Sequence, residues 1–360
     1  MPVVKSKVVS RRVETTLRPE KLMRSMGLRE FYEKRNKILI VRGCGGLGDI
    51  LMHRMMFEDF KRLMPDAEIH FACPSYYHGA VEDHPFVDKV LAMEQLDRFE
   101  YNISYNTTTA CGRTEMKLAP FSSPHRSDIW AAHCGVMLTK HDMHIKLTDD
   151  EKEEGKRLIE AKRDRDGPSV LIAPISAMQN KNLLDHQFMP VIKGLHDRKC
   201  FAFGLHSSPI YPMLKKDVPV IHGVGMRQWL SVINQADYVV SVDTAVFHAA
   251  GGMKKPLVGI FTFADGKVYG KYFDFFLVQR HRDEDPTWTC GPCYNWGACP
   301  KTQQNPKPCL TEITAEMILE RVDRMLEKWP KGALYKTCLR SSDQHRRSEL
   351  SPETGRSRSP

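Results

Sequence analysis

Val239-Val-Ser-Val-Asp-Thr-Ala-Val-Phe-His248, running on to Ala249-Ala-Gly-Gly-Met253, decides the fold. Its β-branched apolar run breaks at Asp243-Thr244, residue types suited to capping a helix, and the helical segment that follows closes at Gly251-Gly252. The expected order is strand, cap, helix. Such a junction aims unpaired backbone N–H groups and the positive end of a helix dipole at one spot, where a phosphate can be held. An ordinary βα turn of any parallel α/β protein reads the same way, so the rest of the chain has to decide.

A second junction of this kind stands near the start. Lys37-Ile-Leu-Ile-Val41 is a buried-strand run, Arg42-Gly-Cys-Gly-Gly-Leu-Gly-Asp49 is a glycine loop, and Leu51, Met55, Phe60 and Leu63 recur at helical spacing over Ile50 to Met64. Gly45, Gly46 and Gly48 allow close backbone approach. Gly43, Gly45 and Gly48 spell G-x-G-x-x-G, but the acid follows at once, at Asp49, where a dinucleotide fold has it about 20 residues on. No Lys-Ser/Thr pair makes a P-loop. Asp49 is left as a carboxylate at the mouth of the loop, or simply as an acid favourable to a helix start.

Between and after these junctions the alternation continues. Strands are expected at 67–72, 87–91, 101–104, 169–173, 200–204, 218–221 and 256–261, with helices at 128–138, 147–163, 188–195 and 226–236. Asp164-Arg-Asp-Gly-Pro168 is a sharp break. The expected organisation is an extension over 1–36 with one helix, a Rossmann-like half over 37–166, a second over 167–330 with a cysteine-rich loop at 290–309, and a disordered basic tail over 337–360.

The chain has 360 residues, net charge +9, 41% hydrophobic and 27% charged residues, the composition of a soluble globular protein. No run approaches the roughly 20 apolar residues of a membrane span. No apolar signal segment follows the basic N-terminus, and a cytoplasmic address is expected. The positive charge favours anionic partners such as sugar nucleotides, phosphorylated lipids or nucleic acid, although part of it lies in the tail and no basic stripe interleaved with aromatics is visible.

These residues resemble glycosyltransferase family nine, the heptosyltransferase-like enzymes. The likeness is carried by Ile38-Leu-Ile-Val-Arg42 with Gly46-Leu-Gly-Asp49, Pro65-Asp-Ala-Glu-Ile69, Pro85-Phe-Val-Asp-Lys-Val90, Ser176 with Lys181, Ser241-Val-Asp-Thr-Ala245 with His248 and Lys255-Pro256, and the late cysteines. It spans about residues 37 to 328. The resemblance implies a GT-B fold, two Rossmann-like domains with parallel sheets facing across a cleft, and an inverting, metal-independent transfer from a nucleotide-diphosphate sugar to a hydroxyl. It implies Asp49 as general base, Lys181 on the donor phosphates, Ser176 lining the donor site, and Asp243, Thr244 and His248 shaping the pyrophosphate and sugar pocket. Ala245 and Thr262 depart from the family, which usually has glycine at both places. No cofactor is expected beyond the donor, and the acceptor is expected to be an anionic glycan, a glycolipid or nucleic acid, with peripheral membrane contact open.

Cys290, Cys293, Cys299 and Cys309 have a spacing that suits a structural zinc, and a reduced cysteine-rich loop suits it equally; no metal is assigned. Asp164-Arg-Asp166 and Asp283-Glu-Asp285 spell D-x-D but sit in polar stretches and read as solvated charge. Two rival readings stand beside the sugar transferase: a nucleic-acid-modifying relative, whose binding would fall steeply with salt, and a non-catalytic nucleotide-sugar binder.

Overall fold

The structure is a computed structural model and describes residues 37–330 except 99–100, 208–217, 283 and 286. The expected N-terminal helix, the tail and the Asp283 end of the second D-x-D therefore lie outside the described residues. In chain order the first half holds β1 (Lys37–Val41), α1 (Leu47–Leu63), β2 (Glu68–Ala72), β3 (Lys89–Leu91), β4 (Ile103–Asn106), α2 (Ala110–Leu118) and α3 (Arg126–His133). After α4 (Asp149–Glu160) come β5 (Ser169–Ala173), α5 (Asp185–Asp197), β6 (Phe201–His206), β7 (Val220–His222), α6 (Met226–Gln235), β8 (Tyr238–Val242) and α7 (Ala245–Gly252). The second half ends with β9 (Leu257–Phe261), α8 (Gly266–Tyr269), β10 (Phe276–Gln279) and α9 (Ala315–Lys328).

Two parallel sheets result, ordered β3-β2-β1-β4 and β10-β9-β8-β5-β6-β7. Every residue of β5, β8 and β9 is buried, as strands covered by helices on both faces must be. One apolar cluster runs from Ile38 and Phe57 through Trp130 to Phe247 and Phe261, so the halves share a core where α1 meets α7. Among the described residues no helix is long and apolar enough to cross a membrane.

Differences from expectation are local. The helix expected over 128–138 starts at Arg126 and stops at His133, because Gly135 takes φ +73° and turns the chain out of the helix. The strand expected from Val87 begins only at Lys89, since the Asp88 carboxylate accepts the Ile69 N–H at 2.8 Å. Helix α2, strand β10 and helix α9 were not expected. The linker helix α4 has a capping box between Thr148 and Glu151, and packs on α6, where Arg227 grips Glu151 at 2.7 and 2.8 Å.

A Cβ at Gly155 of α4 would lie 2.7 Å from the backbone of Ser231 in α6. Gly155→Ala should therefore force the two helices apart and lower unfolding stability by about 1–3 kcal/mol in urea titration. An unchanged midpoint would mean that this contact is not fixed as described.

Candidate active site

The first cluster starts from the end of β1. Arg42 follows the last strand residue and its Nη1 donates to the carbonyls of Thr107 and Thr108, 3.1 and 2.7 Å, just beyond β4. So anchored, its Nη2 reaches Asp49 Oδ2 at 2.7 Å, while Arg126 Nη1, at the start of α3, reaches Asp49 Oδ1 at 2.7 Å. Arg126 is itself held by Glu115 of α2 through Nε and Nη2, 2.7 and 2.9 Å, and Glu115 Oε1 also accepts the Tyr269 hydroxyl of the second half at 2.8 Å. Burial alone would raise the Asp49 pKa. The guanidiniums of Arg126 and Arg42 outweigh it and hold the carboxyl at about 2. His53 lies beneath, pushed to about 3 by burial and then by Arg42, and stacks on Trp130 at 3.8 Å. Its neutral ring carries the proton on Nδ1, which faces the Asp49 carbonyl at 2.7 Å.

A second cluster faces it from the second half. Asp243 follows the last residue of β8, and its Oδ2 lies 2.7 Å from Lys181 Nζ, its Oδ1 3.6 Å from His248 Nε2 on α7. Burial would raise the Asp243 pKa, but Lys181 and His248 drive it far below the usual carboxylate range. Thr244 is the residue before α7, in extended backbone, but its side chain makes no cap hydrogen bond, contrary to the capping expected of it. Ala245 is the first helical residue, which removes the need for a glycine there. Ser176 spends its groups within its own loop: its N–H donates to Asn182 Oδ1 at 2.8 Å and its hydroxyl to the Met178 carbonyl at 3.1 Å. That loop carries Lys181.

Gly45, Gly46 and Gly48, three of the four glycines of the first loop, differ in their surroundings. Gly45 takes φ +122°, and a Cβ there would stand 2.5 Å from Asp49 Oδ2, so it makes room for the ion pair. Gly48 lets α1 approach α7, since its Cβ would meet His248 Cδ2 at 2.8 Å. Gly46 has open space around it, and no contact requires a glycine there. The four late cysteines line one cavity of about 640 Å³ together with Trp288 and Lys307, and burial pushes the Cys309 thiol up to about 12. Among the described residues no group of three or more His, Cys, Asp or Glu is placed to hold a metal ion, so the zinc expected as one option finds no ligand set in this arrangement. Asp164 of the first D-x-D pairs with Arg165, 3.0 Å, on the surface.

Sequence reasoning did not find Arg42, Glu115, Arg126, Tyr269 or Trp296 as site residues. Only Arg42 had a signal, standing between a buried strand and the glycine loop. Arg126 lies 77 residues from Asp49, and nothing local marks it.

Residues 131–275 match the model of Glycosyltransferase family 9 (heptosyltransferase), the family that the motifs resemble. Among solved structures it is similar to a glycosyl transferase family 9 protein from Veillonella parvula, with TM-score 0.64 and 13% identity over 82% of this chain and 98% of that one. It is similar to the Escherichia coli ADP-heptose lps heptosyltransferase II, with TM-score 0.59 and 16% identity over 81% and 99%. It is also similar to the iron-containing dodecameric glycosyltransferase TibC of enterotoxigenic Escherichia coli, with TM-score 0.61 and 13% identity over 82% and 77%. These likenesses bear out the two-domain GT-B fold. No curated protein matches the sequence.

The Asp49 pair fixes a sign. A carboxyl with a folded pKa near 2, against an ordinary 3.8, adds stability that is full above about pH 4 and disappears as pH falls through 2. Arg126→Gln should cost about 3 kcal/mol at pH 7 and move this acid loss to higher pH, followed by urea unfolding between pH 2 and 7. A stability profile identical to the native one would contradict the pair.

Proposed function

We propose that this family 9 glycosyltransferase moves a hexose- or heptose-like sugar from a nucleotide diphosphate to a hydroxyl acceptor, with inversion and with no metal ion in the transfer step. One observation carries the reading: a buried carboxylate of the first half and a lysine of the second half, paired with Asp243 beside the start of α7, converge on one seam. There Gly48 touches His248, and Arg126 and Lys181 both stand over the Trp296 ring.

The roles follow from the chemistry. A sugar hydroxyl is a weak nucleophile, and Asp49 is placed to take its proton as it attacks the anomeric carbon. With both oxygens paired to guanidiniums Asp49 is a poor base, so the acceptor reaches it when Arg42 or Arg126 turns aside, which raises the carboxylate's basicity at the moment it is used. Lys181 and the first N–H groups of α7 receive the diphosphate, whose charge grows as it departs; they stabilise the transition state more than the ground state. Asp243 and His248 hold Lys181 and the helix start in place. An open depression of about 770 Å³ between α2 and α3 presents Arg113 and Lys117 on the same half of the molecule as Asp49. An anionic glycan or glycolipid suits that depression.

Asp49→Asn should lower transfer by roughly 10²–10⁴-fold with donor affinity unchanged, the range for loss of a positioned base. Lys181→Ala should weaken nucleoside diphosphate binding by about tenfold or more. Product formation and calorimetry read the two effects separately, and full turnover in Asp49→Asn would sink the base assignment.

A further inference from the structure

The cysteine-rich loop has so far no part in the reaction, yet it is anchored at several points. The Cys293 and Tyr294 N–H groups donate to the Phe263 carbonyl at 3.0 and 3.1 Å, and the buried Tyr294 hydroxyl accepts the Ser123 N–H of the first half at 3.2 Å. Asn180, the neighbour of Lys181, donates through Nδ2 to the carbonyls of Trp296 and Gly297, 3.4 and 3.1 Å. The loop is thus fastened to both halves.

What it presents is Trp296. The indole is 40% exposed although Phe263 packs its edge at 5.5 Å and 74°. Its ring centre lies 5.8 Å from the Arg126 guanidinium carbon and 5.3 Å from Lys181 Nζ, the cations of the acceptor-side and donor-side clusters. A large aromatic ring rigidly held yet exposed is wasteful for stability, and its quadrupole attracts positive charge.

We propose that Trp296 is the platform on which the transferred sugar stacks, a role that rests on the glycosyltransferase reading above. The C–H face of a pyranose ring fits an indole face, and the ring's oxygen and anomeric carbon acquire positive charge as the bond to the diphosphate breaks. Lys181 turns from the indole to the diphosphate and the sugar takes its place. The π face then stabilises the oxocarbenium-like sugar between the base and the leaving group. The cysteine loop is the arm that sets this ring in position.

The test separates sugar from nucleotide. Calorimetry on the full chain compares ADP with ADP-heptose, and UDP with UDP-glucose, for the native protein, Trp296→Phe and Trp296→Ala. The alanine variant should bind the sugar nucleotide at least about tenfold more weakly while the bare diphosphate stays within about twofold, and the phenylalanine variant should recover most of the loss. Sugar-nucleotide binding unchanged in Trp296→Ala would overturn the platform, as would an equal loss for the bare diphosphate, which marks a structural prop. A native protein that binds none of these sugar nucleotides would instead overturn the transferase reading from which the role is drawn.

Discussion

An ionised carboxylate removed from water between two guanidiniums is the interaction on which the rest of this molecule depends. Asp49 could not stay charged at its burial without Arg42 and Arg126, and neither arginine could be so buried without acceptors of its own. The arrangement fixes the end of β1, the turn after β4, the start of α3 and the inner face of α2 at once. It also reaches into the second half, because Glu115 shares its charge between Arg126 and the Tyr269 hydroxyl. A loop built only for packing has no use for so many charges.

The donor side shows the same logic with fewer parts. Lys181 and Asp243 neutralise each other at the carboxyl end of the second sheet, where open α/β sheets bind their ligands. The two clusters are kept at a working distance by a glycine, Gly48, against the His248 ring, and by the apolar contact of α1 with α7.

Much of this fold was legible in the sequence because buried parallel strands are nearly pure apolar runs. Lys37–Val41, Ser169–Ala173 and Tyr238–Val242 announce themselves, and each is followed by residues that must leave the strand. Other elements carry weaker signals. Helix α2 contains Gly112 and has only two buried residues, while the edge strand β10 has two half-buried positions that blur its period. Of the site, Asp49, Lys181, Asp243 and His248 came from the resemblance to family nine and do meet at one seam. The resemblance gave no part to Arg42, Glu115, Arg126 and Tyr269, whose roles come from contacts between distant segments. Thr244 and Gly46 mark the opposite limit, residue types whose usual uses are not realised here.

The two clusters are proposed to serve one donor, and a crystal structure of the full chain with ADP-heptose tests this most directly. The expected result has the diphosphate at the start of α7 with Lys181 turned to it, and the anomeric carbon between that group and Asp49. A nucleotide sugar bound elsewhere, with the Lys181 and Asp243 pair undisturbed, would contradict it.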